Sequence, residues 1–381
     1  MGNGGAASIW FDQNTSIPEE RYKMLADREL FSSPDGIHWE HVMRFGKSGD
    51  RSTFFYNPFR QKWVYSIKAP LEWMLDRGRT RLYFETDEFF SVPEWAEVPG
   101  ASEGNVVMWT ATDSKDEMWE GVNVRPELYA LDSAAYESLM LGLFVVWKGD
   151  TPEIRNSGRP KLNQVFVGFS RDGFHWDRPD RTPYLPITNE VGAWNWGNVQ
   201  SCGGCCLIVR DKLYFYCGGR AGSQAPGSTD HSAGSSTGLA MMRRDGFASI
   251  DAGKETGTLT TRPIQFKGKH LFVNVDAPQG ELRAEVLDET GNVLPEFSFD
   301  NCEPIRADET LLQVRWKNDP DLSQLAGQPV RIRFQLTNGS LYSFWVSPDK
   351  SGASHGYIAA GGPGYVGHTD TVGRKALEMV E

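Results

Sequence analysis

The heptapeptide Ser33-Pro34-Asp35-Gly36-Ile37-His38-Trp39 returns as Ser170-Arg171-Asp172-Gly173-Phe174-His175-Trp176, and no other feature limits the fold so strongly. Asp-Gly is a turn pair: glycine takes a positive φ without strain, and the aspartate carboxylate bonds nearby backbone N–H groups. The Trp then anchors the following strand. Weaker copies are Thr86-Asp87-Glu88-Phe89, with Trp95 beyond, and Arg244-Asp245-Gly246-Phe247. Strand-like stretches precede the later copies (81–85, 164–169, 239–242), and an aromatic strand stands upstream of each (21–25, 62–67, 142–147, 212–216). Four units of one grammar between residues 7 and 250 predict a β-propeller, whose radial repetition of four-stranded sheets hides their edges. The one helix expected there is short, near Pro70–Leu75. Asp35 and Asp172 are expected to cap turns on the outer rim.

From residue 253 the texture changes to clean alternation, as in His270–Val275, Leu282–Leu287, Gln313–Trp316, Val330–Leu336 and Leu341–Val346. Alternation means one buried and one wet face, so residues 253–347 read as an antiparallel β-sandwich. The Gly-rich tail, 348–381, is expected to pack poorly.

A net charge of −11 and the lack of any Lys/Arg run argue against nucleic acid or an anionic membrane as partner. No apolar stretch approaches the roughly 20 residues that span a bilayer. Met1–Gly5 shows neither a basic nor an apolar leader region, so no signal peptide is visible, and the expected location is cytoplasmic unless the N-terminus is truncated. Cys202, Cys205, Cys206 and Cys217 crowd together without a nearby His, which reads as small buried thiols and not as a zinc site. Gly362–Gly367 spells a dinucleotide fingerprint, and Gly234–Gly238 and Gly352–Gly356 spell nucleophile elbows. None of them joins a strand to a helix, so composition explains all three.

Chemistry is expected where polar residues precede the innermost strands: Gly49–Tyr56, Ala135–Met140 and Trp194–Ser201. Charges entering a core must pair with each other or with a ligand. Two carboxylates meeting there, Glu137 kept protonated and Asp50 ionised, would supply what glycoside hydrolysis needs. The alternative is that Asp50–Arg51 and Glu137 form structural ion pairs closing the channel. Eleven of the thirteen Trp fall before residue 250, and Trp stacks on sugar rings.

At Pro18–Met24, Asp50–Pro58, Tyr136–Phe144 and Trp196–Ser201 the chain resembles the invertase-type and arabinanase-type glycoside hydrolases, families 32 and 43 with their five-bladed propellers. More specifically it is similar to bacterial proteins described as family 32 N-terminal-domain-like. The resemblance implies Glu137 as general acid and Asp50 as the carboxylate that orients the transition state. It implies Asp12, on Ser8–Asp12, in place of the nucleophile strand, unless a fifth blade precedes the four units counted. Arg51, Asn198 and Gln200 would bind sugar hydroxyls, and Trp194 and Trp196 would form a stacking platform. The implied substrate is a furanoside or a related plant or microbial glycan. No cofactor or catalytic metal is expected, with a structural Ca2+ in the propeller channel as the alternative. The competing reading is a non-catalytic carbohydrate-binding propeller with an accessory sandwich, and a third is a structural or interaction propeller with no sugar ligand.

Overall fold

Strand after strand is laid down as an antiparallel meander. A computed structural model describes residues 7–44, 46, 48–68, 78–93, 106–223 and 233–378. The expected helix near Pro70–Leu75 and the Trp95 of the second weak repeat lie outside these residues. Two compact units form, Met1–Leu207 with Phe215–Ala240, and Ile208–Tyr214 with Met241–Glu381. Helix among the described residues is confined to Pro152–Asn156, Lys375–Glu378 and short 3-10 turns. The chain is all-β, a β-propeller followed by a β-sandwich.

The first sheet runs β1 (Ala7–Phe11), β2 (Tyr22–Ala26), β3 (Glu29–Ser33), β4 (Glu40–Arg44) in chain order. The second repeats that order with β5 (Thr53–Asn57), β6 (Lys62–Lys68), β7 (Arg81–Thr86) and β8 (Val107–Thr110). The third comprises β9 (Glu127–Glu137), β10 (Leu139–Gly149) and β11 (Leu162–Ser170), closed by a bridge from Phe169 to Asp177. The fourth holds β12 (Asn198–Ser201), β13 (Leu207–Val209), β14 (Lys212–Arg220) and β15 (Ser235–Arg243). A single parallel bridge, Asn163 to Asn198, joins the third sheet to the fourth. The aromatic stretches read from the sequence are β2, β6, β10 and β14, each paired with the first strand of its sheet.

Both heptapeptides fold as the turn they spell. Asp35 accepts from the N–H groups of Ile37 and His38, each at 2.8 Å, and pairs with the His38 ring at 2.7 Å. Asp172 does the same with Phe174 (2.9 Å), His175 (2.8 Å) and the His175 ring (2.7 Å). Gly36 and Gly173 take φ of 76° and 75°, the left-handed values for which glycine is needed. These turns follow the third strand of their sheets, so they lie at what we call the trailing rim, where the inner strands β5 and β9 also end. There the Asn57 amide donates 2.7 Å to the Asp172 carbonyl.

The sandwich begins at β16 (Ile250–Ala252), slightly before the expected 253, followed by β17 (Gly257–Thr260), β18 (His270–Asp276), β19 (Glu281–Asp288), β20 (Asp308–Gln313), β21 (Val330–Thr337) and β22 (Gly339–Ser347). Its two sheets have the orders β16-β22-β18-β20 and β17-β21-β19. Leu271, Val273, Val275, Leu282, Ala284, Val286, Ile332 and Phe334 fill the core between them at alternate positions. The strand expected at Gln313–Trp316 ends at Gln313, and Trp316 instead turns inward, its indole N–H donating to Ala284 O at 3.1 Å.

The tail corrects an expectation. Glycine content suggested loose packing, yet Ala353 and Ile358 are buried. Asp370, wholly buried, accepts from Arg244 at 2.9 Å and from the N–H groups of Val372 and Gly373. A paired buried carboxylate fixes a segment that its own side chains would leave open.

Candidate functional site

Inner strands β5, β9 and β12 start at one rim, the leading one, and polar side chains gather there. Asp50, in the turn that leads into β5, is half-exposed and accepts from Lys68 Nζ at the end of β6. Its second oxygen stands 3.4 Å from the Tyr129 hydroxyl of β9. That hydroxyl accepts from Lys161 Nζ, just before β11, at 2.8 Å. Both ammonium groups lie over the phenol ring, Lys68 at 4.9 Å and Lys161 at 4.4 Å from its centroid. The β9–β10 register slips between Val145 and Val146, which leaves Tyr129 as the extra residue of a bulge. Bulges re-aim a side chain locally. Burial opposes the Asp50 charge, but the Lys68 hydrogen bond and charge, with Lys161 and Tyr129, hold its carboxyl below the usual aspartate range. Burial, then Asp50, push the Tyr129 phenol up.

A second, buried layer closes the strands beneath. Arg51, in the left-handed region at φ 60°, donates to Ser201 O at 3.1 Å and lies 3.8 Å from the Asp132 carboxylate. Asp132 also accepts from the Ser201 hydroxyl. Arg81, fully buried, donates to the carbonyls of Arg51 and Tyr129, and burial pulls its pKa down to about 9. Arg51 and Asp132 therefore make the structural ion pair that the alternative reading assigned to Asp50–Arg51 and Glu137.

Other expected residues fall in three groups. Asn198 and Gln200 reach the leading rim. Asn198 is buried with its amide committed, donating to Lys161 O at 3.1 Å and accepting from Gln200 at 2.8 Å. The sequence reading expects this amide on a sugar hydroxyl; in the fold it bonds the Lys161 carbonyl and the Gln200 amide instead. Trp194 and Trp196 separate sharply. Trp194 is 44% exposed, and its ring rests on a floor where a Cβ at Gly219 would stand 2.2 Å away and one at Gly238 2.6 Å away. Trp196 is buried, with the Arg159 guanidinium 5.8 Å from its ring, so it is core and no platform. Arg159 also binds the carbonyls of Trp196 (2.9 Å) and Thr188 (2.8 Å), fixing the loop that presents Trp194.

Glu137 and Asp12 are not brought to this site. Tyr136 pairs with Leu139, so Glu137 and Ser138 are the tip of the β9–β10 hairpin, with Glu137 at φ 49°. Eight residues of strand, roughly 26 Å, separate it from Tyr129. Asp12 likewise follows β1 at its trailing end, where it is buried against Lys23 Nζ at 2.8 Å and caps Asn14 N–H at 2.9 Å. The expected Glu137–Asp50 pair does not form.

Sequence reasoning missed Lys68, Tyr129, Lys161 and Glu127. Glu127, at the start of β9, accepts from the guanidinium and, at 3.2 Å, the backbone N–H of Arg79. At the trailing rim a cleft of about 740 Å³ is lined by Arg60, Lys62, Tyr83, Glu85, Asp87 and Asp172, among others. Asp172 thus caps its turn as expected but also borders a polar cleft. Arg60–Glu85 and Lys62–Asp87, each at 2.6 Å, already pair across it.

No protein-family model matches the chain, and no curated protein does. Among solved structures it is similar to one described as "Glycoside hydrolase", at 10% identity and TM-score 0.36 over 62% of this chain and 70% of that one. It is also similar to sucrose-6-phosphate hydrolase from Lactobacillus gasseri (10% identity, TM-score 0.28, 88% and 90% covered). A third is a mutant Trypanosoma rangeli sialidase displaying trans-sialidase activity (11%, TM-score 0.26, 84% and 64%). No residue's role is carried over from any of them.

Trp194→Ala removes the one exposed aromatic face of this loop. Where a sugar ring stacks on this face, as the sequence reading expects, its affinity should fall about tenfold, near the roughly 0.5–1.5 kcal/mol of an aromatic contact, with the melting temperature unchanged. Calorimetric titration with the glycan and a melting curve check it. Unaltered affinity would remove Trp194 from the site.

Proposed function

We propose that the protein is a glycoside hydrolase working at the leading rim, with Asp50 as the ionised carboxylate and Glu127 in the role expected of Glu137. The observation that carries this reading is the Asp50 carboxylate, open to solvent on one side and kept charged by Lys68 on the other. Such a group can stabilise the positive charge that develops at the anomeric carbon, or act as base or nucleophile toward it. Glu127 lies two residues before Tyr129, within reach of the same rim. It would donate the proton to the leaving oxygen, once Arg79 exchanges its contact for the substrate. Trp194 offers an apolar face for a sugar ring.

The second reading is a carbohydrate-binding propeller without hydrolytic activity. The grip of Arg79 on Glu127, through both guanidinium and backbone, favours it, because it occupies the carboxylate a proton donor would need free. A panel of aryl furanosides and pyranosides, with product analysis, separates the two. Release of the aglycone from any member supports hydrolysis. Retention of glycans on an affinity gel, with every member of the panel left intact, supports binding alone.

A further inference from the structure

Two cations at the leading rim have no ion-pair partner among the described residues. Lys161 Nζ donates to the neutral Tyr129 hydroxyl, and among the described residues no carboxylate lies within ion-pair distance of it. Arg220, half-buried at the end of β14, has no side-chain hydrogen bond or ion pair among those residues. Strand register brings the two together. Asn198 pairs with Arg220 on one side and with Asn163 on the other, and its amide donates to the Lys161 carbonyl.

The neighbouring carboxylates are already committed. Asp50 binds Lys68, Glu127 binds Arg79, and Asp132 accepts from Ser201 beside Arg51. Asp150 is held by Arg155 through two bonds of 2.9 Å. Arg81 lies buried beneath, bonded to two carbonyls and with no ion pair among the described residues. In a chain whose net charge is −11, this rim is a local concentration of positive charge partly withdrawn from water. Such charge is costly unless something of opposite sign arrives.

We propose that Lys161 and Arg220 form a subsite for an anionic substituent on a sugar, a carboxylate or a phosphate, so that the glycoside handled at this rim is a charged one. This rests on the hydrolase reading for the word glycoside, though not for the anion. A guanidinium fork and an ammonium point charge suit the oxygens of either group. Burial pulls the Lys161 pKa down, Asp50 and Asp150 counter it, and Arg79 and Arg220 add to it. A bound anion would relieve that strain on the ammonium.

The test titrates the full chain calorimetrically with digalacturonic acid, glucose 6-phosphate and their uncharged counterparts, digalactose and glucose. At least one charged probe should bind about tenfold or more tightly than its neutral counterpart, and which one does distinguishes carboxylate from phosphate. Lys161→Gln and Arg220→Gln, checked for folding by near-ultraviolet circular dichroism, should each erase that preference. Raising salt from about 50 to about 300 mM should shrink it. The proposal is overturned if neither charged probe outbinds its counterpart, or if the variants weaken charged and neutral probes alike. Charge-selective binding with no glycoside cleaved would sink the hydrolase reading and leave the subsite standing. Cleavage confined to neutral glycosides would do the reverse.

Discussion

On the hydrolase reading, Asp50→Asn should slow glycoside cleavage by about 10²–10⁴-fold, the range lost when a positioned acid–base group is removed, and Glu137→Gln should leave it within about twofold. The contrast follows from where β5 and β9 begin and end. Asp50 touches Tyr129 at the leading rim, whereas Glu137 occupies a hairpin tip at the far end of the same strand. Glu127→Gln should lose turnover on substrates with a poor leaving group and recover part of it when the aglycone is a good one. The acid limb of the pH profile follows from the sign of the Asp50 shift. Its carboxyl is held below the ordinary 3.8, so activity that needs the charge persists to lower pH than a free aspartate would allow. By the same sign, the pairing with Lys68 stabilises the fold above about 3.8 and is lost as pH falls through the native pKa. Turnover measured by aglycone release, beside thermal melts of each variant, decides the matter. An inactive Glu137→Gln with an active Asp50→Asn would move the chemistry to the trailing rim.

The largest stability effect should come from Asp116→Ala. Its side chain is fully buried and takes both guanidinium bonds of Arg178, at 2.9 and 2.7 Å, with Arg181 at 3.2 Å. It also accepts from Asp113 N–H at 2.8 Å. Arg178 is itself buried, 4.9 Å from the Phe144 ring. Removing the anion leaves the buried guanidinium only its longer, 3.5 Å contact with the half-exposed Asp113, which costs about 3–5 kcal/mol, a large part of the roughly 5–15 kcal/mol that holds a typical domain together. Urea denaturation followed by tryptophan fluorescence measures it. The pair Asp116→Leu with Arg178→Met should recover much of the loss, because no charge is then left unpaired. A single-variant cost below about 1 kcal/mol would mean that water already reaches Arg178.

What could be read in advance was local. The heptapeptide turns need only Asp, Gly and the two residues after them, and their hydrogen bonds match at Asp35 and Asp172. Asp50 and Trp194 are legible as polar or aromatic residues just ahead of an inner strand, and Gln200 as an amide within one. Glu137 was misplaced because Glu137-Ser138 carries no Gly, Asn or Pro to announce a turn, so a strand that begins at Glu127 appeared to begin ten residues later. Lys68 and Lys161 gave no signal, since a lysine at a strand end is ordinarily a solvated one. Only the pairing of β9 with its neighbours brings both to Tyr129. Trp194 and Trp196 differ by two positions, and the glycine floor that exposes one of them lies in β14 and β15. The tail was misjudged for a similar reason, its anchor Asp370 lying 126 residues from Arg244.

The matched turns at Asp35 and Asp172 divide the propeller's labour between its two ends. They set each sheet's geometry through bonds spanning three residues, with no help from the rim where Asp50, Tyr129 and Lys161 meet. Loops at the leading ends, such as 186–196, are fixed separately by Arg159. A designer could therefore randomise the exposed positions of those loops, Val191 and Trp194 among them, while leaving every Asp-Gly turn intact. Such a library would sample new specificities on an undisturbed scaffold, much as antibodies vary their loops on a constant frame.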